Sequence, residues 1–322
     1  MSFSREVKEE LSRTLPSARH CQLAELSAIL SMCGIIHISS DKQVEIEVRT
    51  ENSAVARKFY ALIVKCFRIS PQVLIRSSKG NRKAHIYIQT ISVDEEAQRI
   101  LKATKLMRHD GEIEEHLMLL DQLLIQRSCC KRAFIRGCFL ATGSITEPEK
   151  SYHFEIVCNN QDKAKQLKEL MNGFELDAKI VERKRYYVVY IKEGAKIVDA
   201  LNVMEAHLSL MNLENVRILK DMRNSVNRRV NCETANINKT VSAAVKQVED
   251  ITYIRKMMGF GDLSEGLRQM AELRLREPDM PLKELGQMLN PPVGKSGVNH
   301  RLRKLSNIAD ELRSRNSQKE ET

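Results

Sequence analysis

Residues 135–143, which read IRGCFLATG, decide the fold, because a similar apolar segment occurs earlier in the chain. That earlier segment is residues 26–34, LSAILSMCG, and the two segments close on Gly34 and Gly143. Small residues recur along both segments, among them Ala28 and Gly137. Such residues let two helix backbones approach closely. We therefore predict two helices that pack against each other, each opening one copy of a repeated unit.

The same succession of elements follows each opening helix. In the first copy an alternating apolar run begins at Val44 and a helix is expected near Asn52. The corresponding positions in the second copy are Tyr152 and Asn160. Both lie further along the chain by nearly the same number of residues as separate Gly34 from Gly143. Two more alternating runs follow in each copy, at 73–75 and 86–88 and at 180–181 and 188–191. Alternation predicts strands. The pattern predicts an α+β fold in which the order α-β-β-α-β-β-α occurs twice.

This repeat resembles the LAGLIDADG homing-endonuclease fold. In that family the two motif helices pack at a pseudo-twofold axis, and an acid just before the last glycine of each helix binds the metal that activates water. By this resemblance the two acid positions correspond to Cys33 and Thr142. Neither side chain suits Mg²⁺, which takes oxygen ligands and usually at least one carboxylate. No catalytic residue is therefore assigned, and two-metal cleavage of DNA is not expected.

The last third of the chain is more basic and is expected to be helical. Residues 216–322 contain 20 Lys and Arg and 14 Asp and Glu, so they carry +6 of the net charge of +10. Apolar spacing predicts a helix over 263–276 and a short helix after Pro281. A break at 290–294 precedes a third helix, for which Ser296 is the expected N-cap. These elements have the outline of a helix-turn-helix at about 281–313, in an all-α domain.

The third helix carries most of the candidate DNA-binding residues. No acid occurs between Lys295 and Asp310, and polar residues surround an apolar stripe at positions 298, 302, 305, 309 and 312. In the major groove Arg can bond bidentately to guanine and Asn to adenine, whereas Lys neutralises phosphates. The candidates are Lys295, Ser296, Asn299, His300, Arg301, Arg303 and Lys304. Asn299 and Arg303 are expected to contact bases, and the lysines and Arg301 phosphates. The alternative is an ordinary solvated basic surface.

A second candidate segment, residues 217–239, precedes the helix-turn-helix. It is dense in Asn and Arg, and its candidate DNA-binding residues are Arg223, Asn224, Asn227 and Arg228. One interpretation is a helix beside the helix-turn-helix that contacts phosphates and bases. The other is a helix-capping segment that makes hydrogen bonds between domains. The sequence does not decide between them.

Composition and cysteine spacing argue against several other classes of protein, namely membrane, secreted and metal-binding proteins. At 322 residues the chain is long enough for two or three domains, and its longest apolar runs are too short to span a membrane. The start, MSFSREVKEEL, is typical of an amphipathic helix and not of a signal peptide, so a cytoplasmic location is expected. The eight cysteines include no C-x-x-C pair, and the adjacent Cys129 and Cys130 have a spacing that zinc sites rarely use. No metal and no cofactor is therefore expected.

Four strings of the sequence resemble the WhiA family of Gram-positive bacteria. They are residues 136–144 (RGCFLATGS), 221–228 (DMRNSVNR), 231–236 (NCETAN) and 295–304 (KSGVNHRLRK), and they span nearly the whole chain. The resemblance implies a DNA-binding, nucleoid-associated regulator that acts in transcription, cell division, chromosome segregation or sporulation. It also implies that the endonuclease-like half has no nuclease activity and that the helix-turn-helix supplies most of the DNA affinity.

The expected domains are one repeat over 1–125, a second repeat over 126–215 and a helix-turn-helix domain over 216–322. The expected partner is double-stranded DNA, with no membrane. Two other functions stay open: a nuclease whose acids have moved to Glu25, Asp41 or Glu147, and an interaction protein. In the latter the repeats bind a protein partner and the basic domain attaches nonspecifically to DNA. Cations at the hairpins of the repeats are expected to add nonspecific affinity at most; they are Arg49, Arg76, Lys79, Arg82, Lys83, Arg183, Lys184 and Arg185.

Overall fold

A computed structural model describes residues 2–77, 85–107, 113 and 124–320, without the side chains of 317–320. The chain divides into two compact units, Met1–Asp221 and Met222–Thr322, which we call the repeat unit and the helical unit. Within the described parts of the chain, no helix combines the length and the apolar character that crossing a membrane requires.

The repeat unit begins with helix α1 (Phe3–Arg13) and then contains two copies of one succession of elements. The first copy comprises α2 (Arg19–Cys33), β1 (Gly34–Ile38), β2 (Val44–Thr50), α3 (Ser53–Phe67), β3 (Gln72–Ser77), β4 (His85–Ile91) and α4 (Asp94–Ala103). The second comprises α5 (Ser128–Thr142), β5 (Gly143–Ile145), β6 (Phe154–Cys158), α6 (Gln161–Asn172), β7 (Lys179–Arg183), β8 (Tyr186–Ile191) and α7 (Gly194–Met204). The predicted order α-β-β-α-β-β-α is confirmed in both copies.

The middle helix of each copy starts at equivalent asparagines. The Asn52 side chain accepts a hydrogen bond from Ala54 N at 2.9 Å. The Asn160 side chain accepts one from Asp162 N at 2.7 Å. An Asn side chain at this position satisfies a backbone N–H that the helix leaves unpaired. The two helix starts predicted near Asn52 and Asn160 are therefore confirmed.

Each copy folds its strands into a four-stranded antiparallel sheet with the same topology. The strand orders are β1-β2-β4-β3 and β5-β6-β8-β7. The registers correspond as well: Ile46 lies opposite Ile91 in the first sheet, and Phe154 lies opposite Ile191 in the second. All four of these side chains are buried. The alternating apolar residues thus form the face of each sheet that packs on the core.

Helices α2 and α5 pack tightly against each other, as the small residues predict. A Cβ atom added to Gly137 would lie 2.5 Å from Glu25 O and 2.7 Å from the Cβ of Ala28. No side chain fits at these distances, so Gly137 allows the two backbones to approach. Most of the residues between Cys21 and Ser31 and between Cys130 and Leu140 are buried.

Helix α1 is joined to the repeats by its buried face and by hydrogen bonds at its start. Its buried residues are Phe3, Val7 and Leu11, which have the helical spacing of an amphipathic helix. Phe3 N donates to Glu147 Oε1 at 2.7 Å. Farther along, the Glu10 carboxylate accepts from Leu208 N at 2.7 Å and from Ser209 N at 2.9 Å. These carboxylates satisfy backbone donors at helix starts, where negative charge is also favourable.

Helix α8 (His207–Met257) begins in the repeat unit and continues into the helical unit, which also contains α9 (Glu265–Arg276), α10 (Leu282–Gln287) and α11 (Lys295–Glu320). The three helices predicted for the helix-turn-helix region are confirmed. The N-cap assigned to Ser296 is wrong, because α11 already begins at Lys295. Val298 N donates to Gly294 O at 3.1 Å, so Gly294 holds the capping position and Ser296 lies in the first turn. Glycine is well tolerated at an N-cap.

Candidate nucleic-acid interface

The two positions that correspond to the nuclease acids are the last residues of α2 and α5. Cys33 Sγ donates to Ile29 O at 3.2 Å, and Thr142 Oγ1 donates to Cys138 O at 3.5 Å. Both side chains are thus engaged with the preceding turn of their own helix. Burial raises the pKa of the Cys33 thiol to about 12, so the thiol is neutral at ordinary pH. Neither position presents an anionic oxygen to a divalent cation.

Three other acids were considered for an alternative nuclease site, namely Glu25, Asp41 and Glu147. In the structure they contact other groups or lie exposed. The buried Glu25 carboxylate is 3.1 Å from Arg136 Nε and 3.0 Å from Lys58 Nζ, so two cations neutralise it. Glu147 accepts the hydrogen bond from the start of α1. Asp41 is exposed in the turn between β1 and β2. A metal site would require these carboxylates to converge on one ion.

The tight turn between α10 and α11 fixes the helix-turn-helix geometry. Val293 N donates to Gly286 O at 2.8 Å, and a Cβ atom on Gly286 would lie only 2.0 Å from Val293 O. Glycine is therefore required at 286 for this close approach. The apolar stripe of α11 faces the core as predicted: Val298, Leu302, Leu305 and Ala309 are all buried, and Leu312 is half-buried.

The burial of this stripe turns the remaining faces of α11 outward. Of the seven candidate residues on α11, six are exposed: Lys295, Ser296, Asn299, His300, Arg303 and Lys304. The seventh, Arg301, is half-buried, and its Nη1 lies 3.4 Å from Gly266 O. The Arg301 guanidinium is thus directed toward the start of α9.

Helix α8 passes beside the start of α11 within the helical unit. Lys295 and Asn299 line one cleft together with Lys239 and Thr240 of α8. Arg274 of α9 also lines this cleft; it is 3% exposed, and it donates to Gln247 Oε1 at 3.1 Å and to Met280 O at 2.7 Å. Burial lowers the pKa of Arg274.

Arg274 was not among the residues singled out from the sequence. Its bonds connect α9 to α8 and to the segment before α10, which positions the helix-turn-helix on α8. The available signal was its place four residues after the core residue Met270, where a charged side chain interrupts an apolar face. Such a buried Arg is retained only when its donors find acceptors.

The Asn- and Arg-rich segment lies well inside α8. Arg223, Asn224, Asn227 and Arg228 are all exposed, and Arg228 Nε donates to Asn224 O at 3.3 Å. The helix-capping interpretation of this segment is therefore wrong, because the four residues lie far from both ends of a 51-residue helix. The sequence placed the segment between the two domains and offered a helix as one of two interpretations; in the structure the segment is part of the continuous helix α8. Apolar residues recur along the segment at helical spacing, although they are exposed.

The hairpin cations of the repeat unit differ in their contacts. Arg49 forms an ion pair with Glu47, and Arg183 Nη1 lies 3.2 Å from Glu155 Oε2. Arg76, Lys184 and Arg185 are exposed. The other three cations, Lys79, Arg82 and Lys83, lie outside the described residues. Two of the cations expected to contribute to nonspecific affinity are thus already paired with acids of the same sheet.

These features define a class of protein: a LAGLIDADG-like domain of two repeats followed by a helix-turn-helix domain. Three family models match the chain in this order: the WhiA N-terminal LAGLIDADG-like domain over residues 19–107, the WhiA LAGLIDADG-like domain over 131–223 and the WhiA C-terminal HTH domain over 226–309.

Relatives and a solved structure match over almost the full length. A protein of Lachnoclostridium phytofermentans named "Probable cell division protein WhiA" is 54% identical, over 97% of this chain and 100% of its own. One of the same name from Alkaliphilus oremlandii is 48% identical, over 97% and 98%. The crystal structure of full-length WhiA from Thermatoga maritima is 25% identical, with a TM-score of 0.58, over 97% of this chain and 99% of that one. The chain belongs to the WhiA family.

Proposed function

We propose that this chain binds double-stranded DNA sequence-specifically through α11 and acts in cell division as a regulator of transcription or of chromosome segregation. The observation that carries the proposal is the exposed, acid-free polar face of α11 between Lys295 and Asp310, held in place by a buried apolar stripe. The match to the WhiA HTH domain supports it. A nucleoid-associated location follows from such binding, and a role in sporulation is compatible with the family.

In this proposal the first turns of α11 enter the major groove. Asn299 and Arg303 lie one turn apart and are both exposed, so they can contact neighbouring base edges. Lys295 and Lys304 contact phosphates, which position the helix without reading the sequence. Arg223, Asn224, Asn227 and Arg228 on α8 would add contacts beside the recognition helix.

We further propose that the LAGLIDADG-like domain does not cleave DNA. The two acid positions hold Cys33 and Thr142, whose side chains bond to their own helices. Glu25 is neutralised by Arg136 and Lys58. Plasmid incubated with the protein and Mg²⁺ or Mn²⁺ should remain supercoiled. Nicking that EDTA abolishes and that the Cys33→Ala variant lacks would contradict this.

One experiment tests site-specific binding in the cell. Chromatin immunoprecipitation with sequencing should give discrete peaks for the wild-type chain, and the Asn299→Ala/Arg303→Ala variant should lose them. The matched control is Arg315→Ala, which removes an exposed Arg near the far end of the same helix and should keep the peaks. A uniform signal across the chromosome for the wild-type chain would favour the interaction protein instead.

A specific observation supports that second function. Strand β3 lies at the edge of its sheet, and Val73, Leu74 and Ile75 are each about half exposed, at 50%, 49% and 56%. An exposed apolar edge strand is a surface on which another protein can add a strand. If the chain is such an interaction protein, the Leu74→Lys variant should lose the protein partner of the repeat unit, while the uniform chromosome signal of nonspecific DNA attachment should remain.

A further inference from the structure

Four potential metal ligands meet at the amino-terminal ends of α2 and α5. His20 and Cys21 lie in the first turn of α2, and Cys129 and Cys130 lie in the first turn of α5. Their ligand atoms, one imidazole nitrogen and three sulfurs, all lie within 4.8 Å of one another. His20 Nδ1 is 3.2 Å from Cys130 Sγ and 3.3 Å from Cys21 Sγ.

The internal repeat explains why these residues converge. His20 corresponds to Cys129 and Cys21 to Cys130, because each pair is separated by the same interval as Gly34 and Gly143. The packing of α2 on α5 then brings the two adjacent pairs to the same end of the helix pair. That end is opposite the Cys33 and Thr142 positions, since more than three turns of α2, or roughly 18 Å, separate Cys21 from Cys33. The cluster is therefore distinct from the metal position of the homing endonucleases.

We propose that His20, Cys21, Cys129 and Cys130 bind one Zn²⁺ ion, which joins the two repeats at the amino-terminal ends of α2 and α5. Three thiolates and one imidazole are a preferred ligand set for Zn²⁺, which is four-coordinate and tetrahedral in structural sites. All four positions are supplied by the protein. The site is thus closed, and its role is structural and not catalytic.

The mutual distances suit this ion. Zinc binds sulfur at about 2.3 Å and nitrogen at about 2.0–2.1 Å. Tetrahedral ligands around it are therefore separated by roughly 3.5–4 Å. The present separations of 3.2 and 3.3 Å for the His20 contacts, within a cluster no wider than 4.8 Å, require only small side-chain adjustments. Cys129 is exposed and His20 is half-buried, which gives the ion a path from solvent.

The local electrostatics favour the anionic complex. Zinc displaces the protons of the three thiols, and the resulting complex carries one net negative charge. The amino-terminal ends of two helices carry partial positive charge, which stabilises it. With Nδ1 on the ion, Nε2 of His20 carries the proton. The exposed Arg127, whose Nη1 is 3.5 Å from Nε2, must then turn away.

Zinc content tests the proposal directly. The full chain, purified without a histidine tag under reducing conditions and equilibrated with an equal amount of Zn²⁺, should retain one zinc per chain by elemental mass spectrometry. The Cys129→Ser/Cys130→Ser variant should retain none. Cys232→Ser is the matched control, because Cys232 is an exposed cysteine on α8, and this variant should bind zinc as the wild type does. A wild-type chain without stoichiometric zinc would overturn the proposal.

Cobalt provides a readout that does not depend on whether a variant folds. Added to the wild-type apoprotein, Co²⁺ should give the visible bands of a tetrahedral ion and the near-ultraviolet charge-transfer band of cobalt thiolates, and Zn²⁺ should abolish both. Octahedral cobalt without charge transfer would contradict a site with three thiolates. So would an intact mass lower by two hydrogens together with a Cys21–Cys129 or Cys21–Cys130 cross-link, since the cluster would then be a disulfide pair.

Discussion

The charged residues at the centre of the repeat unit and those on α11 of the helical unit differ in where their charge is satisfied. Glu25 and Lys58 are fully buried and Arg136 is nearly so, and they neutralise one another inside the fold. Lys295, Arg303 and Lys304 are exposed, and in the part of the chain that the structure describes they form no ion pair with an acid. Charges paired internally hold helices together, whereas exposed cations remain available to an external polyanion.

The same contrast between paired and exposed charges distinguishes the nuclease-like repeat unit from the helical unit. The nuclease positions are occupied by Cys33 and Thr142, and the buried acid of the same helix pair, Glu25, is fixed by cations. In the described residues of the repeat unit the tight helix pair is present, and neither acid position presents a carboxylate to Mg²⁺. Under the proposed function, recognition of DNA rests on the other unit. Four variants test this division, from the largest expected effect to the smallest.

Removing Arg136 should have the largest effect on stability. Arg136→Ala leaves Glu25 and Glu205 without their shared partner, and breaking a buried ion pair from one side costs about 3–5 kcal/mol. Lys58 still contacts Glu25, so we expect the lower end of that range. Urea denaturation of the full chain measures the change, and Arg185→Ala, at an exposed hairpin, is the control. A loss below about 1 kcal/mol would mean that the charges do not stabilise the helix pair.

Restoring both acids should destabilise the repeat unit by a smaller amount. In Cys33→Asp/Thr142→Asp, two carboxylates at the ends of α2 and α5 are partly desolvated and repel each other, and we expect a loss of about 2 kcal/mol. Cys33→Ser/Thr142→Ser keeps similar sizes without the charge and serves as the control. Melting temperatures compare the two. An aspartate variant that melted at or above the wild-type temperature would show that these positions are not at a buried helix interface.

Local pattern predicted most of the fold because each element has its own signal. Alternation gave the strands, Asn52 and Asn160 marked helix starts, and the spacing of Val298, Leu302 and Leu305 placed the core face of α11. The repeat itself predicted the pairing of α2 with α5. The start of α11 was misplaced by two residues, because Gly294 and Ser296 are both acceptable N-caps.

Long-range contacts were much harder to predict. Adjacent cysteines argue against zinc when only their own spacing is considered, yet His20 and Cys21 come from the other repeat. The constant interval between the two repeats could have revealed this cluster, since the two adjacent pairs occupy equivalent positions in the repeats. The buried role of Arg274 depends likewise on acceptors at Gln247 and Met280, which no local pattern indicates.

Among the exposed cations of α11, Arg303 is expected to contact a base. Arg303→Ala should therefore weaken specific DNA binding by about 1–3 kcal/mol and relax the preference at one base pair. The physical reason is the loss of two hydrogen bonds to one base edge. Mobility-shift titrations with a fragment taken from a chromatin peak, and with single-base variants of it, measure both effects. Arg315→Ala should bind like the wild type. An Arg303 variant that weakened all sequences equally would place this side chain at a phosphate.

The smallest expected effect is that of Lys304→Ala, which should weaken binding to specific and unrelated DNA alike. Lys304 is exposed and presents a single charge, so its contact with a phosphate releases about one counterion. The plot of log affinity against log salt concentration should therefore become shallower by about one unit, while base preference stays unchanged. Arg315→Ala, toward the end of the same helix, should leave the slope as it is. If the Lys304 and Arg303 variants both bound as the wild type does, with unchanged slopes, α11 would be an ordinary solvated helix. The cations that contact DNA would then have to lie elsewhere in the chain.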